Sequence, residues 1–284
     1  MERPKWLLNI SSDEYHAATK RNEYTTSHRL NLFRKCPALY KKTIDGEIVE
    51  GDTAAFAFGR ATHVYIIEGK EKFDAEYVVS DGPTNEKTGK PYGKLTAAYA
   101  KWAAEQPKPV VGTEDFAMLQ KMREAVHAHI AASNLLMEGI AEGTIRTAWN
   151  GEPIQARLDW FNPEQNYIVD LKTCNDIDRF RFDIRDFGYI EQMAFYAQCV
   201  MMARKDEVES GPQILPACWL VAVEKKEPYR VAVVHIGAST IDDAIHGHMG
   251  GETWRDDADA MLLELRKCRE TGEWPTRYEQ VINI

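Results

Sequence analysis

The chain has 284 residues, 44% hydrophobic and 28% charged, with 18 Gly and 12 Pro, which excludes disordered and collagen-like classes and suits one large domain or two small ones. Lys and Arg number 35 against 44 Asp and Glu, a net charge of −9, so bulk attraction to nucleic acid or to an anionic membrane is not the default. No stretch approaches the roughly 18 apolar residues that span a bilayer, and the start through Trp6, Leu7 and Leu8 is too short an apolar run for a signal peptide. The expectation is a soluble intracellular protein.

In chain order, the first feature is a basic stretch, with Lys20, Arg21, Arg29, Arg34, Lys35, Lys41 and Lys42 against Glu23 alone. Ser27 reads as an N-cap, and Pro37 suits the first turn of a second short helix after Cys36. Thr53 to Gly69 predicts a helix whose stripe is Ala54, Phe58, Ala61, Tyr65 and Ile66, ended by Gly69. Ser80 to Lys94 is turn-rich. Thr113 then caps a helix with Glu114 and Asp115 in its first turn, sending Phe116, Leu119, Met122 and Val126 to the core.

From Thr144 the period changes to two. Thr144–Trp149, Pro153–Asn162 and Tyr167–Thr173 read as consecutive strands, joined by Asn150-Gly151 and by Pro163 to Asn166. Phe187 to Arg204 returns to helix. Leu215–Glu224 and Tyr229–Gly237 are strands, and Thr253 to Gly272 is a charged amphipathic helix. No repeat and no strong boundary shows. The pattern predicts an α/β or α+β fold, a central mixed β-sheet flanked by helices. It divides one domain, 1–284, into an N-terminal helical part to about 140, a core over 141–237 and a C-terminal helical part over 238–284.

The sharpest chemical feature is Ala156-Arg157-Leu158-Asp159-Trp160 followed by Ile168-Val169-Asp170-Leu171-Lys172-Thr173. Charged side chains stand inside apolar strands, where an unpaired charge is costly. Asp170 and Lys172 are two apart and share a face. A four-residue loop pairs Asn162 with Tyr167 and sets Asp159 opposite Asp170. Two facing carboxylates repel unless a cation sits between them. Oxygen ligands favour Mg²⁺, with Mn²⁺ as a substitute. The bland alternative is a buried Asp170–Lys172 ion pair, with Asp159 paired to Arg157 or capping a turn. Glu68-x-Lys70 and Glu224-x-Lys226 match the acid-x-Lys spacing too, but both read as solvated ends. His127 and His129 read as surface, and His246-Gly247-His248 lacks a nearby third ligand. Cys36, Cys174, Cys199, Cys218 and Cys268 fall in no metal spacing, so buried thiols are expected.

Asp159, then Asp170-Leu171-Lys172-Thr173, then a helix with Gln192-Met193-Ala194-Phe195-Tyr196, with Gly59-Arg60-Ala61-Thr62-His63 upstream, resembles the PD-(D/E)XK nuclease superfamily. The helical His and the Gln-x-x-x-Tyr helix are similar to its RecB/RecE-like branch, and to phage and prophage exonucleases of the RecE (exonuclease VIII) type. The resemblance covers roughly Ser27 to Arg204. It implies Asp159, Asp170 and His63 around metal, a backbone carbonyl from Leu171, and Lys172 as the catalytic lysine. Gln192 and Tyr196 would meet DNA near the scissile phosphate. The upstream acid is best matched by Glu142, with Glu138 competing. Leu158 stands where the superfamily has Pro. Arg29, Arg34 and Lys35, with Lys41, Lys42, Arg179, Arg181 and Arg185, could supply a local phosphate path.

The activity so implied is a Mg²⁺-dependent exodeoxyribonuclease on double-stranded DNA ends, running 5′ to 3′ and leaving 3′ single strands for recombination. The partners implied are a homo-oligomeric ring and a single-strand annealing recombinase, in the cytoplasm of a phage- or prophage-bearing bacterium, with no membrane. Alternatives are a DNA-binding or interaction protein on a degenerate nuclease scaffold, and a Cas4- or AddB-like iron–sulfur nuclease. The latter needs clustered cysteines that this sequence lacks.

Overall fold

The computed structural model describes residues 2–49, 51, 53–205, 214–247 and 257–279. Strands β1 (Val78–Val79) and β2 (Val110–Val111) pair in parallel apart from the main sheet. That sheet orders β3 (Ile140–Trp149), β4 (Glu152–Asn162), β5 (Tyr167–Cys174), β6 (Ala217–Glu224) and β7 (Val231–Ile236) side by side in chain order. Only β5 and β6 run parallel. A parallel pair needs a crossover. Here it is α9 (Phe180–Asp186) and α10 (Tyr189–Ala203).

The other helices in chain order are α1 (Ser12–Lys20), α2 (Ser27–Lys35), α3 (Pro37–Ile44), α4 (Ala54–His63), α5 (Lys70–Glu76), α6 (Ala97–Ala104), α7 (Thr113–Ala128) and α8 (Ile130–Leu135). After the sheet come α11 (Ala238–His246) and α12 (Ala258–Thr271). One sheet face, with Ile154, Ala156, Leu158, Ile168, Leu220 and Ala222, packs on α10, behind which lie α2, α11 and α12. The opposite face sets Val169, Leu171, Val221 and Val223 against Met122 and Val126 of α7 and against Ile66. Helix α10 is buried at every residue from Met193 to Val200, as a helix enclosed on all sides must be.

The mixed α/β architecture expected from the periodicity is present, and both predicted turns hold. Asn150 and Gly151 take φ +50° and +79°, the left-handed pair that a two-residue hairpin requires. Asn162 pairs with Tyr167, and its Oδ1 accepts the Gln165 amide at 2.8 Å, closing the four-residue turn.

Several boundaries differ. Thr26, not Ser27, caps α2, its hydroxyl accepting the Arg29 amide at 3.3 Å. Thr113 lies inside α7, because Asp81 from the preceding loop takes its amide at 2.8 Å and its hydroxyl at 2.6 Å. The predicted helix over 53–69 becomes α4 followed by a π turn, Val64–Glu68, before Gly69 at φ +94° ends it. The predicted helix from Phe187 begins at Tyr189, since Gly188 at φ +68° breaks it from α9. Of the helix expected from Thr253, residues 253–256 lie outside the described residues. All five cysteines are free thiols, and Cys36 caps α3 through an Sγ contact to the Leu39 amide.

The N-terminal segment was not legible as structure, yet it pairs along the sheet. Leu8 bridges Thr144 on the outer edge of β3, and Thr25 bridges Ile154 of β4 where β5 has parted from it. The backbone also closes tightly over Trp160. A Cβ at Gly139 would come within 2.3 Å of its ring nitrogen. Gly139→Ala is therefore expected to lower the unfolding free energy in a urea titration by about 1–3 kcal/mol. An unchanged midpoint would show that the Trp160 ring is free to move aside.

Candidate metal centre

Both ladders around Asp159 open at that residue. Between β3 and β4 the pairs run Ala141↔Trp160 and then Gly143↔Leu158, stepping over Glu142 and Asp159. Glu142 has φ +51°, a left-handed conformation outside the β region. Between β4 and β5 the pairing ends at Trp160↔Val169. The register is the one expected, but the facing Asp159/Asp170 step does not form. Electrostatics supplies the reason, because two buried carboxylates cannot face each other without a cation.

Each carboxylate instead has its own cation. Asp159 Oδ2 accepts the Leu171 amide at 2.8 Å and lies 3.3 Å from His63 Nδ1. Asp170 Oδ2 lies 2.7 Å from Lys172 Nζ in a buried ion pair. Its Oδ1 accepts from Gln192 Nε2 at 3.2 Å. The alternative of Asp159 paired to Arg157 is not what the fold forms. Arg157 Nε binds Glu142 Oε2 at 2.5 Å, and its Nη1 donates to the Ile10 carbonyl at 2.9 Å.

His63, Glu142 and Asp159 each bring a ligand atom to within 4.8 Å of the others. They arrive from the end of α4, the irregular step in β3 and the open end of β4. Glu142, rather than exposed Glu138, reaches the cluster. Asp170 stands beside this set, held by Lys172 and Gln192. Leu171 donates its amide to Asp159. One imidazole and two carboxylates suit a divalent cation such as Mg²⁺ or Mn²⁺. The residues present fit that group.

Protonation follows the same contacts. Burial works against the His63 imidazolium, but the Asp159 carboxylate beside it outweighs burial and raises its pKa to about 9. Asp159 is held below its usual range, burial being overcome by His63, then Lys172 and the Leu171 amide. Burial, then the Asp159 charge, pushes Glu142 up to about 7 against the pull of Arg157. Burial likewise lifts Asp170 to about 6, with Lys172 opposing. Lys172 would be lowered by burial, yet Asp170 and Asp159 raise it. It therefore stays a cation, a donor rather than a base.

Gln192 and Tyr196, one turn apart on α10, face the carboxylates rather than open solvent. Gln192 Oε1 accepts from Lys172 Nζ at 3.0 Å, and its Nε2 also reaches Tyr196 Oη at 2.9 Å. One amide thus spans Asp170, Lys172 and Tyr196.

Asp159, Glu142, His63 and Tyr196 line a cleft of about 960 Å³. Its other walls include Arg3, Tyr15, His16, Arg60, Lys72 and Arg157, the first three from an N-terminal segment that the periodicity left unread. Glu68 also lines it and is half-buried, with its pKa raised by burial, which corrects its reading as a solvated helix end. The cause is local. His63 and Glu68 would diverge in a regular α-helix, but they share a face across the wider π turn.

Glu224 is likewise no solvated end. It is fully buried, with Arg230 bound to both its oxygens at 2.8 and 3.0 Å. Arg29, Arg34 and Lys35 do not line the cleft. Arg29 turns to Asn22 and Arg34 to Asn31 on their own surface. His246 pairs with Asp259 at 2.7 Å, and His248 lies outside the described residues. No group of metal-ligating residues among the described residues includes a cysteine.

Among the described residues, no helix is long and apolar enough to cross a membrane. No curated protein matches the chain. The fold is similar to a crystal structure from Eubacterium rectale described as a "Putative exonuclease", at TM-score 0.65 and 14% identity, over 98% of this chain and 96% of that one. At that identity the likeness is one of fold. A family model described as a PDDEXK-like domain of unknown function (DUF3799) matches residues 27–281, and the chain belongs to that family.

Proposed function

We propose that this protein is a metal-dependent nuclease that hydrolyses phosphodiester bonds at the ends of linear double-stranded DNA. The observation that carries the reading is the convergence of His63, Glu142 and Asp159 in a cleft beside a buried Asp170–Lys172 pair. A divalent cation held there would neutralise charge on the phosphoryl oxygens and lower the pKa of a bound water. Mg²⁺ is the proposed ion, with Mn²⁺ as a substitute. Lys172, kept protonated by Asp170 and aimed by Gln192, stabilises negative charge growing on the phosphate. Gln192 positions that lysine and meets DNA only by releasing it.

The resemblance to exonucleases of the RecE type supports the finer reading. That reading is 5′ to 3′ resection by a single nuclease domain, leaving 3′ single strands. A homo-oligomer and an annealing recombinase partner, in the cytoplasm of a phage- or prophage-bearing bacterium, belong to the same proposal. The acidic whole is compatible with DNA because phosphates need only a local path and the charge of the ion. The rival reading, an interaction protein on a degenerate scaffold, is disfavoured by the intact Asp159, Asp170 and Lys172. Digestion of linear duplex labelled at one 5′ or 3′ end, with Mg²⁺ or with EDTA, tests activity and polarity together. Label that survives in Mg²⁺ as in EDTA would favour the rival.

Lys172→Ala should abolish cleavage, by at least about 10²-fold. It should also cost about 3–5 kcal/mol of stability, because Asp170 is left buried without its cation. The double variant Lys172→Met/Asp170→Asn removes both charges and should recover most of that stability while remaining inactive. Turnover at the wild-type rate in either variant would remove the assigned role.

Metal affinity should depend on pH with a fixed sign. Glu142 near 7, Asp170 near 6 and His63 near 9 favour their protonated forms, and ligands bind metal deprotonated. Calorimetric titration of Mn²⁺ should therefore show affinity rising from pH 6 to 9, with protons released to the buffer. Without metal, the two raised carboxylates lower folded stability as pH climbs through about 4 to 7, since the unfolded groups ionise first. Glu142→Gln should weaken the ion by about 10- to 100-fold, and Glu138→Gln should leave it unchanged. A reversed pair of results would make Glu138 the upstream acid.

A further inference from the structure

Lys172 leads outward as well as inward. Its Nζ lies 4.5 Å from the centroid of the Tyr189 ring. Tyr189 in turn contacts Phe187, centroids 5.8 Å apart, and Phe187 is 64% exposed. Gly188 at φ +68° lets these two rings meet across a single residue. On the adjoining α9, Phe182 is 39% exposed, with Arg181 4.7 Å and Arg179 6.0 Å from its ring centroid.

The charges around these rings are unequal in their commitments. Asp178 is held by Arg230 at 3.0 Å, and Asp186 by Arg185 at 3.3 Å. Asp183 is half-buried, with its field felt at Cys174. Arg179 and Arg181 have no carboxylate within 4.0 Å among the described residues and are exposed. An exposed ring flanked by such cations, Phe182, and a second exposed ring, Phe187, leading through Tyr189 to Lys172, match one chemistry closely. Bases stack on aromatic faces whatever their identity, and guanidiniums take the phosphates between them. An apolar protein partner would satisfy the rings and leave both arginines unanswered.

We propose that α9 and the turn through Gly188 form a stacking platform for unpaired nucleotides of a DNA strand, continuous with the metal centre through Tyr189 and Lys172. Phe182 and Phe187 take bases, and Arg179 and Arg181 take phosphates. The inference deepens the nuclease reading and rests on it for the identity of the strand.

The test is fluorescence anisotropy of a labelled oligodeoxythymidylate in EDTA, where no cleavage occurs, with the full chain. F182A/F187A should bind at least about tenfold more weakly than wild type while remaining folded, with at most a small drop in melting temperature because Phe187 is 64% and Phe182 39% exposed. Phe187→Trp should restore much of the loss. An abasic strand of equal length should bind wild type as weakly as the oligodeoxythymidylate binds the double variant. R179Q/R181Q should flatten the salt dependence by roughly 0.7 in slope for each phosphate released.

Equal binding by wild type and F182A/F187A, or no binding by wild type, overturns the platform. So does loss of self-association in sedimentation with oligodeoxythymidylate binding intact, which makes the patch a protein contact. Digestion of end-labelled linear duplex by wild type in Mg²⁺ runs alongside. Stacking without cleavage removes the nuclease reading and keeps the platform, whereas cleavage without stacking does the reverse.

Discussion

Two carboxylates one strand apart, almost out of water, set the terms for the rest of this structure. Asp159 and Asp170 would repel across a regular ladder, and burying either without a cation would cost several kcal/mol. The fold separates them. Asp159 turns to His63 and the Leu171 amide, and Asp170 to Lys172 and Gln192. The ladder opens between them, and it opens where chemistry needs room.

Other features follow from that opening. A left-handed backbone at Glu142 lets β3 swing an acid toward Asp159. Thr25 and the helices near the N-terminus occupy the edge of β4 that β5 vacates. The π turn rotates His63 and Glu68 into the same cleft. Irregular backbone at these points is the local cost of gathering donors from three separate elements. Packing of α10 on one face and α7 on the other holds the regular remainder.

The cluster is also poised electrically. A protonated His63 and Lys172 stand in for cationic charge beside three acids, and two of those acids resist ionising. An incoming divalent ion would take over that neutralising role and displace protons. The carboxylates are thus arranged for a cation in a protein that is acidic as a whole.

The sequence by itself determined much of the frame. Period-two segments with Asn150-Gly151 between them specify a hairpin, because few residues tolerate two consecutive left-handed positions. Charges at Asp159, Asp170 and Lys172 within apolar strands mark the site, because burial of charge demands partners. Local signals stop at that point. That Glu142 and not Glu138 joins the cluster depends on a backbone kink that no propensity describes. Burial of Glu68 depends on the π turn together with cleft walls from the N-terminal segment, β3 and β4, and burial of Glu224 on Arg230, which reaches it from just before the paired strand β7. Gln192 turning inward to Lys172 reflects the docking of α10 across the sheet. Tertiary structure decided these because each pairs residues of different elements, from Arg230 across a hairpin from Glu224 to His63 on a helix far in sequence from Glu142, where only the packed chain sets the distance.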